Sequence, residues 1–180
     1  MRAYYFTTSA FAISNIALRR LKISRFHDLN DPFELLGVNL ADKVMRSRFR
    51  KMKDDINSKS GLICFSKSWK NPLLWGHYAE KHTGMALGFD IRDDKMLPVI
   101  YDRKLIDVTF DAKTGKPSPG VTDQLIRTKF KDWKYEKEVR LFVALDKDRK
   151  ESGMYFEPFH SELQLREVIL GPKYTCSQIR

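Results

Sequence analysis

The chain has 180 residues, of which 42% are hydrophobic and 12% aromatic, and its formal net charge is +10 at pH 7. This length predicts a single domain over residues 1–180, and the hydrophobic share excludes a chain that is disordered throughout. The excess of positive charge favours an anionic partner, either a nucleotide or a nucleic acid. No apolar run approaches the roughly 20 residues that span a bilayer, and no secretory signal is evident, so we expect a cytoplasmic protein that does not enter a membrane.

The predicted elements alternate irregularly between helix and strand. Capping residues and the spacing of apolar residues predict four helices over residues 10–20, 40–56, 72–83 and 122–134, with a further short helix over 31–37. Apolar, β-prone runs predict strands over residues 3–7, 61–66, 85–91, 97–101, 138–145, 154–159 and 167–170, with weaker signals over 22–24 and 105–110. Because strict alternation is absent and hairpin-like joins are frequent late in the chain, we expect an α+β fold with a mixed, mainly antiparallel sheet and about four helices.

The most informative segment spans residues 133–142, where a helical pattern gives way to a strand pattern. Glu136 and Glu138 are predicted to point the same way, because alternate side chains of a strand share a face. Beside Trp133 and Tyr135, such a pair of acids suits chemistry on a sugar or a nucleotide. The alternative is an ionic network, in which Glu136 pairs with a nearby Lys and Glu138 with an Arg to stabilise the fold.

The helix predicted over 122–134 precedes these acids. Its apolar residues are spaced so that one side faces the core. The residues expected on that buried side are Leu125, Ile126, Phe130 and Trp133.

The helix predicted over 72–83 carries three candidate site residues. His77 is a candidate general base, because imidazole titrates near neutral pH, and packing with backbone hydrogen bonds is the equally weighted alternative. Tyr78 or Trp75 could stack on a base or a nicotinamide ring, although large apolar residues such as Trp75 more often pack in the core. His77 and His82 are five positions apart and would converge poorly on one ion, so no metal site is predicted.

Polar residues elsewhere add to the candidate ligand site. Ser66 and Ser68 alternate at the end of a predicted strand, which would let both hydroxyls bond a ligand. Asn30 and Asp31 could contact a ligand as well, although helix capping explains them without one.

The helix predicted over 40–56 is strongly basic around its apolar stripe, which consists of Met45, Phe49, Met52 and Ile56 and is expected to face the core. Such a basic surface could bind the phosphates of a nucleic acid, or it could be an ordinary solvated face diluted by Asp54 and Asp55. The basic residues in question are Arg46, Arg48, Arg50, Lys51 and Lys53.

Four segments together closely resemble a bacterial family known as domain of unknown function 2971. They are Asn30-Asp31-Pro32-Phe33-Glu34, Cys64-Phe65-Ser66, residues 75–84 and residues 133–140. The resemblance brings no settled activity, but members often occur near mobile elements and phage-defence genes, which implies a role in phage defence. Members usually continue past the last predicted strand. Together with the helix-start pattern at residues 175–178, this leads us to expect that a C-terminal element is missing.

A more distant resemblance is to the ADP-ribosyltransferases that cleave NAD. They use an Arg on an early strand, Ser-x-Ser on a middle strand and Glu-x-Glu at the head of a later strand. Here Arg2, Ser66-Lys67-Ser68 and Glu136-Lys137-Glu138 follow in that order. The opening over residues 4–8, followed by a helix, also looks like the DNA- and RNA-directed branch of that superfamily.

This resemblance implies NAD or another nucleotide as substrate, with no further cofactor identified. Glu138 would be the principal acid and Glu136 would orient the acceptor. The residues expected to shape the pocket are Tyr5, Ser66, His77, Tyr78 and Arg140. Two other function classes stay open: a non-catalytic nucleic-acid-binding module that uses the basic helix, and a metal-sensitive nuclease that uses Glu136, Glu138, His77 and Asp31.

Overall fold

The computed structural model describes residues 1–29, 38–39, 43–111, 114–146 and 150–175. In this part of the chain the α-helices are α1 (Ser9–Ala17), α2 (Lys43–Lys59), α3 (Pro72–Tyr78) and α4 (Val121–Arg127). Short 3-10 helices cover Phe26–Asp28, Glu80–His82, Asp93–Lys95 and Lys131–Glu136. The strands are β1 (Arg2–Thr7), β2 (Arg20–Ile23), β3 (Val38–Asn39), β4 (Ser60–Ser66), β5 (Met85–Ile91), β6 (Met96–Pro98), β7 (Ile100–Asp102), β8 (Ile106–Asp107), β9 (Thr128–Phe130), β10 (Glu138–Ala144), β11 (Lys150–Glu151), β12 (Met154–Pro158) and β13 (Leu163–Leu170).

The main sheet has six strands in the order β13-β5-β1-β4-β10-β6, and every neighbouring pair is antiparallel. A second, three-stranded antiparallel sheet has the order β11-β12-β2. Two short parallel pairs, β3–β8 and β7–β9, complete the strands. The fold is therefore α+β with mixed, mainly antiparallel sheets and about four helices, as predicted. None of the described helices is long and apolar enough to cross a membrane.

One face of the main sheet carries the larger hydrophobic core. Because strand side chains alternate, Phe65, Phe89 and Val139 lie on this face in three different strands and are each at most 2% exposed. They pack with Ala12 of α1 and Leu21 of β2, so α1 and the three-stranded sheet cover this face.

The opposite face changes from apolar to polar along β4 and β10. Leu62 lies opposite Phe142, and both pack in a core cluster with α2 and α4. Further along, Cys64 lies opposite Arg140. The last pair, Ser66 and Glu138, is formed where β4 ends and β10 begins. This polar end of the face holds the candidate site.

The helix predicted over 122–134 is wrong in its second half. Helix α4 ends at Arg127, and the chain then forms β9, which pairs in parallel with β7. Phe130 was expected to be buried but is 44% exposed, whereas Lys129 is only 8% exposed. The long-range pairing of β9 overrides the local helical spacing and turns Lys129 inward.

Smaller differences concern the ends of elements. The helix predicted over 72–83 ends at Tyr78, and the following turn has positive φ angles at Glu80, Lys81 and His82. The strand predicted over 97–101 is divided between β6 and β7, and that over 105–110 contracts to β8. The helices predicted over 31–37 and beyond Thr175 lie outside the described residues.

Candidate functional site

Three residues that are far apart in sequence form a row across the centre of the main sheet. Tyr4 on β1 lies opposite Ser66 on β4, and Ser66 lies opposite Glu138 on β10. Directly opposed residues of antiparallel strands share a face, so these side chains belong to one surface. The polar end of the sheet face thus brings an early, a middle and a late segment of the chain together.

Glu138 is buried and bound by two cations. Arg140 donates from Nε to Oε1 at 2.8 Å, and Lys129 donates from Nζ to Oε2 at 3.0 Å. Burial is the largest single influence on the pKa of Glu138 and raises it, but Arg140 and Lys129 together outweigh burial and lower this pKa to about 2. Glu138 is therefore ionised at neutral pH.

Glu136 is equally buried, but its pKa moves in the opposite direction. Lys129 donates to its Oε2 at 2.6 Å, and the Tyr78 hydroxyl donates to its Oε1 at 2.5 Å. Burial raises the pKa of Glu136 above its ordinary value, and the hydrogen bonds from Lys129 and Tyr78 only partly oppose this. Two neighbouring carboxylates whose pKa values are pushed apart are the usual arrangement of an acid–base pair.

The two carboxylates converge for a reason that differs from the predicted one. Glu136 ends the 3-10 helix Lys131–Glu136 and is not part of β10. Lys137, between the two acids, adopts a left-handed conformation with φ 48°. Strand alternation therefore does not align the pair. Instead, both carboxylates bind the same ammonium group of Lys129.

Lys129 is the principal site residue that sequence analysis missed. Its ammonium lies 4.9 Å from the ring centroid of Trp133 in addition to contacting both acids. Burial lowers the pKa of Lys129, but Glu138 and Glu136 more than compensate and raise it above its ordinary value. A lysine between Thr128 and Phe130 has no local signal for burial, since only the pairing of β9 reveals it.

Lys129, Glu136, Glu138 and Arg140 form one charged cluster. Arg140 and Tyr101 join this cluster to neighbouring elements. Arg140 is fully buried and donates from Nη1 to the carbonyl of Ile126 at 2.7 Å, which ties β10 to α4. The Tyr101 hydroxyl accepts the backbone N–H of Glu138 at 2.7 Å, and burial raises the pKa of Tyr101 to about 12. The Lys and Arg partners considered in the ionic-network alternative are therefore present as Lys129 and Arg140.

The cluster borders a cavity of about 190 Å³. An engineered cavity of about 150 Å³ holds one benzene molecule, so this volume fits a single ring or a ribose. Its wall combines aromatic and apolar side chains with the charged cluster. The lining residues are Tyr4, Tyr5, Phe6, Ser24, Asp28, Leu29, Cys64, Phe65, Ser66, Leu74, Tyr78, Lys129, Glu136, Glu138 and Arg140.

Six of the residues proposed from sequence line this cavity: Tyr5, Ser66, Tyr78, Glu136, Glu138 and Arg140. Ser66 also supports the site, since its hydroxyl donates to the backbone carbonyl of Glu136 at 2.6 Å. The residues that join them without a sequence prediction include Tyr4, Cys64 and Lys129, which become neighbours only through strand pairing.

Three proposed residues lie outside the lining. Trp75 is 5% exposed, packs edge-to-face on Phe6 at 5.1 Å and donates its indole N–H to a backbone carbonyl, as the core interpretation predicted. His77 is exposed, and Ser68 accepts the backbone N–H of Lys70 at 3.3 Å. Asn30 and Asp31 lie outside the described residues.

Arg2, which the resemblance to ADP-ribosyltransferases matched to their early-strand arginine, is also absent from the cavity lining. It donates to Asp90 at 2.7 Å and to Glu167 at 2.6 Å on the exposed surface. The β1 residue opposite Ser66 is Tyr4.

The basic helix is separate from the cavity. Phe49 and Met52 of α2 are buried in the core, as the apolar stripe predicted. The surrounding basic residues are exposed or half-buried, and none of them lines the cavity; they are Arg46, Arg48, Arg50, Lys51 and Lys53.

Comparisons with protein-family models, curated proteins and solved structures found no match to this chain. Within the described residues, no group of three or more His, Cys, Asp or Glu side chains could hold a metal ion. The cavity and its two carboxylates are therefore the features that bear on function.

Proposed function

We propose that the protein is an ADP-ribosyltransferase-like enzyme that binds the nicotinamide–ribose end of NAD, or the equivalent part of another nucleotide, in the cavity. The row formed by Tyr4, Ser66 and Glu138 is the observation that carries this proposal. It assembles an early, a middle and a late strand at one cavity, in the order that the resemblance implies. Arg2 is absent from the row, which departs from the ADP-ribosyltransferase pattern. The β1 residue in that place, opposite Ser66 and lining the cavity, is Tyr4.

The two carboxylates suit the two charge changes of this reaction. When the bond between ribose C1′ and the nicotinamide nitrogen breaks, the electron pair leaves with nicotinamide and positive charge develops on the ribose. Glu138, ionised at neutral pH, stabilises that charge. The acceptor then bonds to C1′ and loses a proton, and Glu136, whose pKa is raised, receives it.

The cavity distinguishes this proposal from a purely structural ionic network. A network that serves only stability is best enclosed by packed side chains, because open space removes contacts without any gain. Here Glu136, Glu138 and Tyr78 border a volume that fits a ring. Because the volume holds one ring or sugar, the diphosphate and adenosine of NAD would lie outside it, where the positively charged protein attracts phosphates.

Incubation of the full chain with NAD tests the proposal, with released nicotinamide measured by chromatography. We expect turnover by the wild type and its loss in Glu138→Gln. The matched control is Glu157→Gln, because Glu157 is a buried acid on β12 that does not line the cavity, and it should retain turnover. If the folded wild type neither binds NAD nor releases nicotinamide, or if Glu138→Gln retains full turnover, the proposal is wrong.

The resemblance to the bacterial family supports one extension. We propose that the activity serves phage defence in the bacterial cytoplasm. A plating assay with Glu138→Gln as the inactive control separates this role from the chemistry, because an active enzyme that leaves plating unchanged excludes only the defence role.

A further inference from the structure

Two surface segments beside the cavity are joined into one face. The backbone N–H of Lys67 donates to the carbonyl of Lys137 at 3.1 Å, and Asn71 donates from Nδ2 to the carbonyl of Tyr135 at 3.0 Å. Residues 67–71 and 131–137 therefore lie side by side. We call this face, together with His77, the aromatic–lysine surface.

Three rings are grouped on this surface. The ring centroids of His77 and Trp133 are 6.3 Å apart, those of His77 and Tyr135 also 6.3 Å, and those of Trp133 and Tyr135 5.9 Å. His77 is exposed, the other two rings are half-buried, and Trp69 nearby in the chain is 37% exposed. None of the described core clusters includes these rings, so core packing does not account for them.

The charge of this surface is positive. Its five lysines are all exposed; they are Lys67, Lys70, Lys131, Lys134 and Lys137. The acidic residues of the two segments are Asp132 and Glu136. Asp132 pairs with Arg103 at 3.2 Å, and Glu136 is buried against Lys129, so neither offsets the lysines at the surface.

We propose that the aromatic–lysine surface binds single-stranded nucleic acid. Lysines neutralise backbone phosphates, and exposed rings stack with unpaired bases, which is how proteins bind single strands without sequence preference. A duplex would use the lysines but leave the rings without partners, because its bases are already stacked on one another. The surface differs from the basic helix α2 that the sequence indicated, and it does not depend on whether the cavity cleaves NAD.

Its position gives the bound strand access to the site. Tyr135 is the chain neighbour of Glu136, whose carboxylate accepts the hydroxyl hydrogen of Tyr78, and Tyr78 lies beside His77 with ring centroids 6.0 Å apart. A base stacked on these rings would therefore lie next to the carboxylate proposed to receive the acceptor's proton.

Fluorescence anisotropy with labelled single-stranded oligonucleotides of about 12 nucleotides, DNA and RNA in separate arms, tests this surface because single-strand sites span about 4–16 nucleotides. We expect binding whose affinity falls steeply with salt. Replacing Lys70 and Lys134 together with Gln should reduce the slope of log K against log salt by about 0.7 for every phosphate that is no longer neutralised. Trp133→Leu or Tyr135→Leu should weaken binding about 5- to 150-fold for each base that no longer stacks.

The controls separate stacking from charge and from misfolding. Trp133→Phe and Tyr135→Phe should bind nearly as the wild type does, because each keeps a ring. Neutralising Arg46, Arg48 and Lys51 to Gln on α2 is the control for a change of charge elsewhere on the surface and should have little effect. Far-UV circular dichroism checks that each variant is folded.

Several outcomes would overturn the proposal. They are the absence of binding by the folded wild type, equal binding of an abasic oligonucleotide, and loss of binding on changing α2 but not on changing the rings. Because the readout is binding without NAD, its failure is distinct from the failure of the proposed enzymatic function.

Discussion

Two sets of ion pairs in this structure have similar distances but differ in burial. On the exposed set, Arg2 and Arg166 bind Asp90 at 2.7 and 3.0 Å, with side chains that are 37% to 50% exposed. In the buried cluster, Lys129 and Arg140 bind Glu138 at similar distances, with side chains at most 8% exposed. Exposed pairs are weakened by water and salt, whereas buried ones are strongly coupled. The distance between two charged groups therefore does not indicate how strongly their pair affects stability.

The largest expected effect comes from removing one buried partner. Arg140→Met leaves Glu138 bound to Lys129 and removes the hydrogen bond to the carbonyl of Ile126. We expect the free energy of unfolding to fall by about 3–5 kcal/mol, as for other broken buried pairs. Urea unfolding measures it. The matched control is Arg166→Met on the exposed set, and equal reductions in the two variants would contradict the comparison.

The two buried carboxylates should give stability opposite dependences on pH. The pKa of Glu138 in the folded protein is about 2, below its ordinary value of 4.5, so its contribution is present above pH 4.5 and is lost as the pH falls towards 2. The pKa of Glu136 is raised, so its contribution is present below pH 4.5 and is lost as the pH rises through its folded pKa.

Urea unfolding between about pH 2 and pH 8 separates these contributions. Glu138→Gln should reduce the loss of unfolding free energy as the pH falls below 4.5. Glu136→Gln should reduce the loss of unfolding free energy as the pH rises above 4.5. Asp90→Asn on the exposed surface is the control for a carboxylate whose pKa is lowered mainly by its hydrogen bond from Arg2. Identical pH profiles for the two buried variants would show that the pKa values of the two carboxylates are not shifted in opposite directions.

The smallest expected effect comes from a single hydroxyl. Tyr78→Phe removes the hydrogen bond to Oε1 of Glu136, so the pKa of Glu136 should rise further and stability at neutral pH should fall by about 1–3 kcal/mol. Carboxyl NMR titration follows the pKa. Tyr155→Phe, in the core on the other face, should leave the titration of Glu136 unchanged. If the pKa of Glu136 is the same in Tyr78→Phe as in the wild type, this hydrogen bond does not influence it.

Sequence predicted what is local in this fold and missed what depends on distant pairing. The apolar stripe of α2 placed Phe49 and Met52 in the core, because helical spacing alone determines which side is buried. For Glu136 and Glu138, the sequence predicted only the types of the ionic partners, a Lys and an Arg, and not their positions. Lys129 was missed because its inward position follows from the pairing of β9 with β7, and no local pattern predicts a buried lysine beside an exposed Phe130.

The contacts of Lys129, its two carboxylate partners and Tyr78 also bear on how the protein folds and unfolds. The partners of Lys129 lie on β10 and at the end of a 3-10 helix, and Tyr78, which completes the cluster, comes from α3. Lys129 lies only 7 and 9 residues from its two carboxylate partners, but Tyr78 lies 58 residues from Glu136. The contact of Tyr78 therefore requires distant parts of the chain to meet first, and it contributes little until α3 and the main sheet are in place. Interactions made that late act mainly on the rate of unfolding. The hydrogen bond from Tyr78 to Glu136 would then slow the unfolding of the assembled domain and have little effect on how quickly the domain folds.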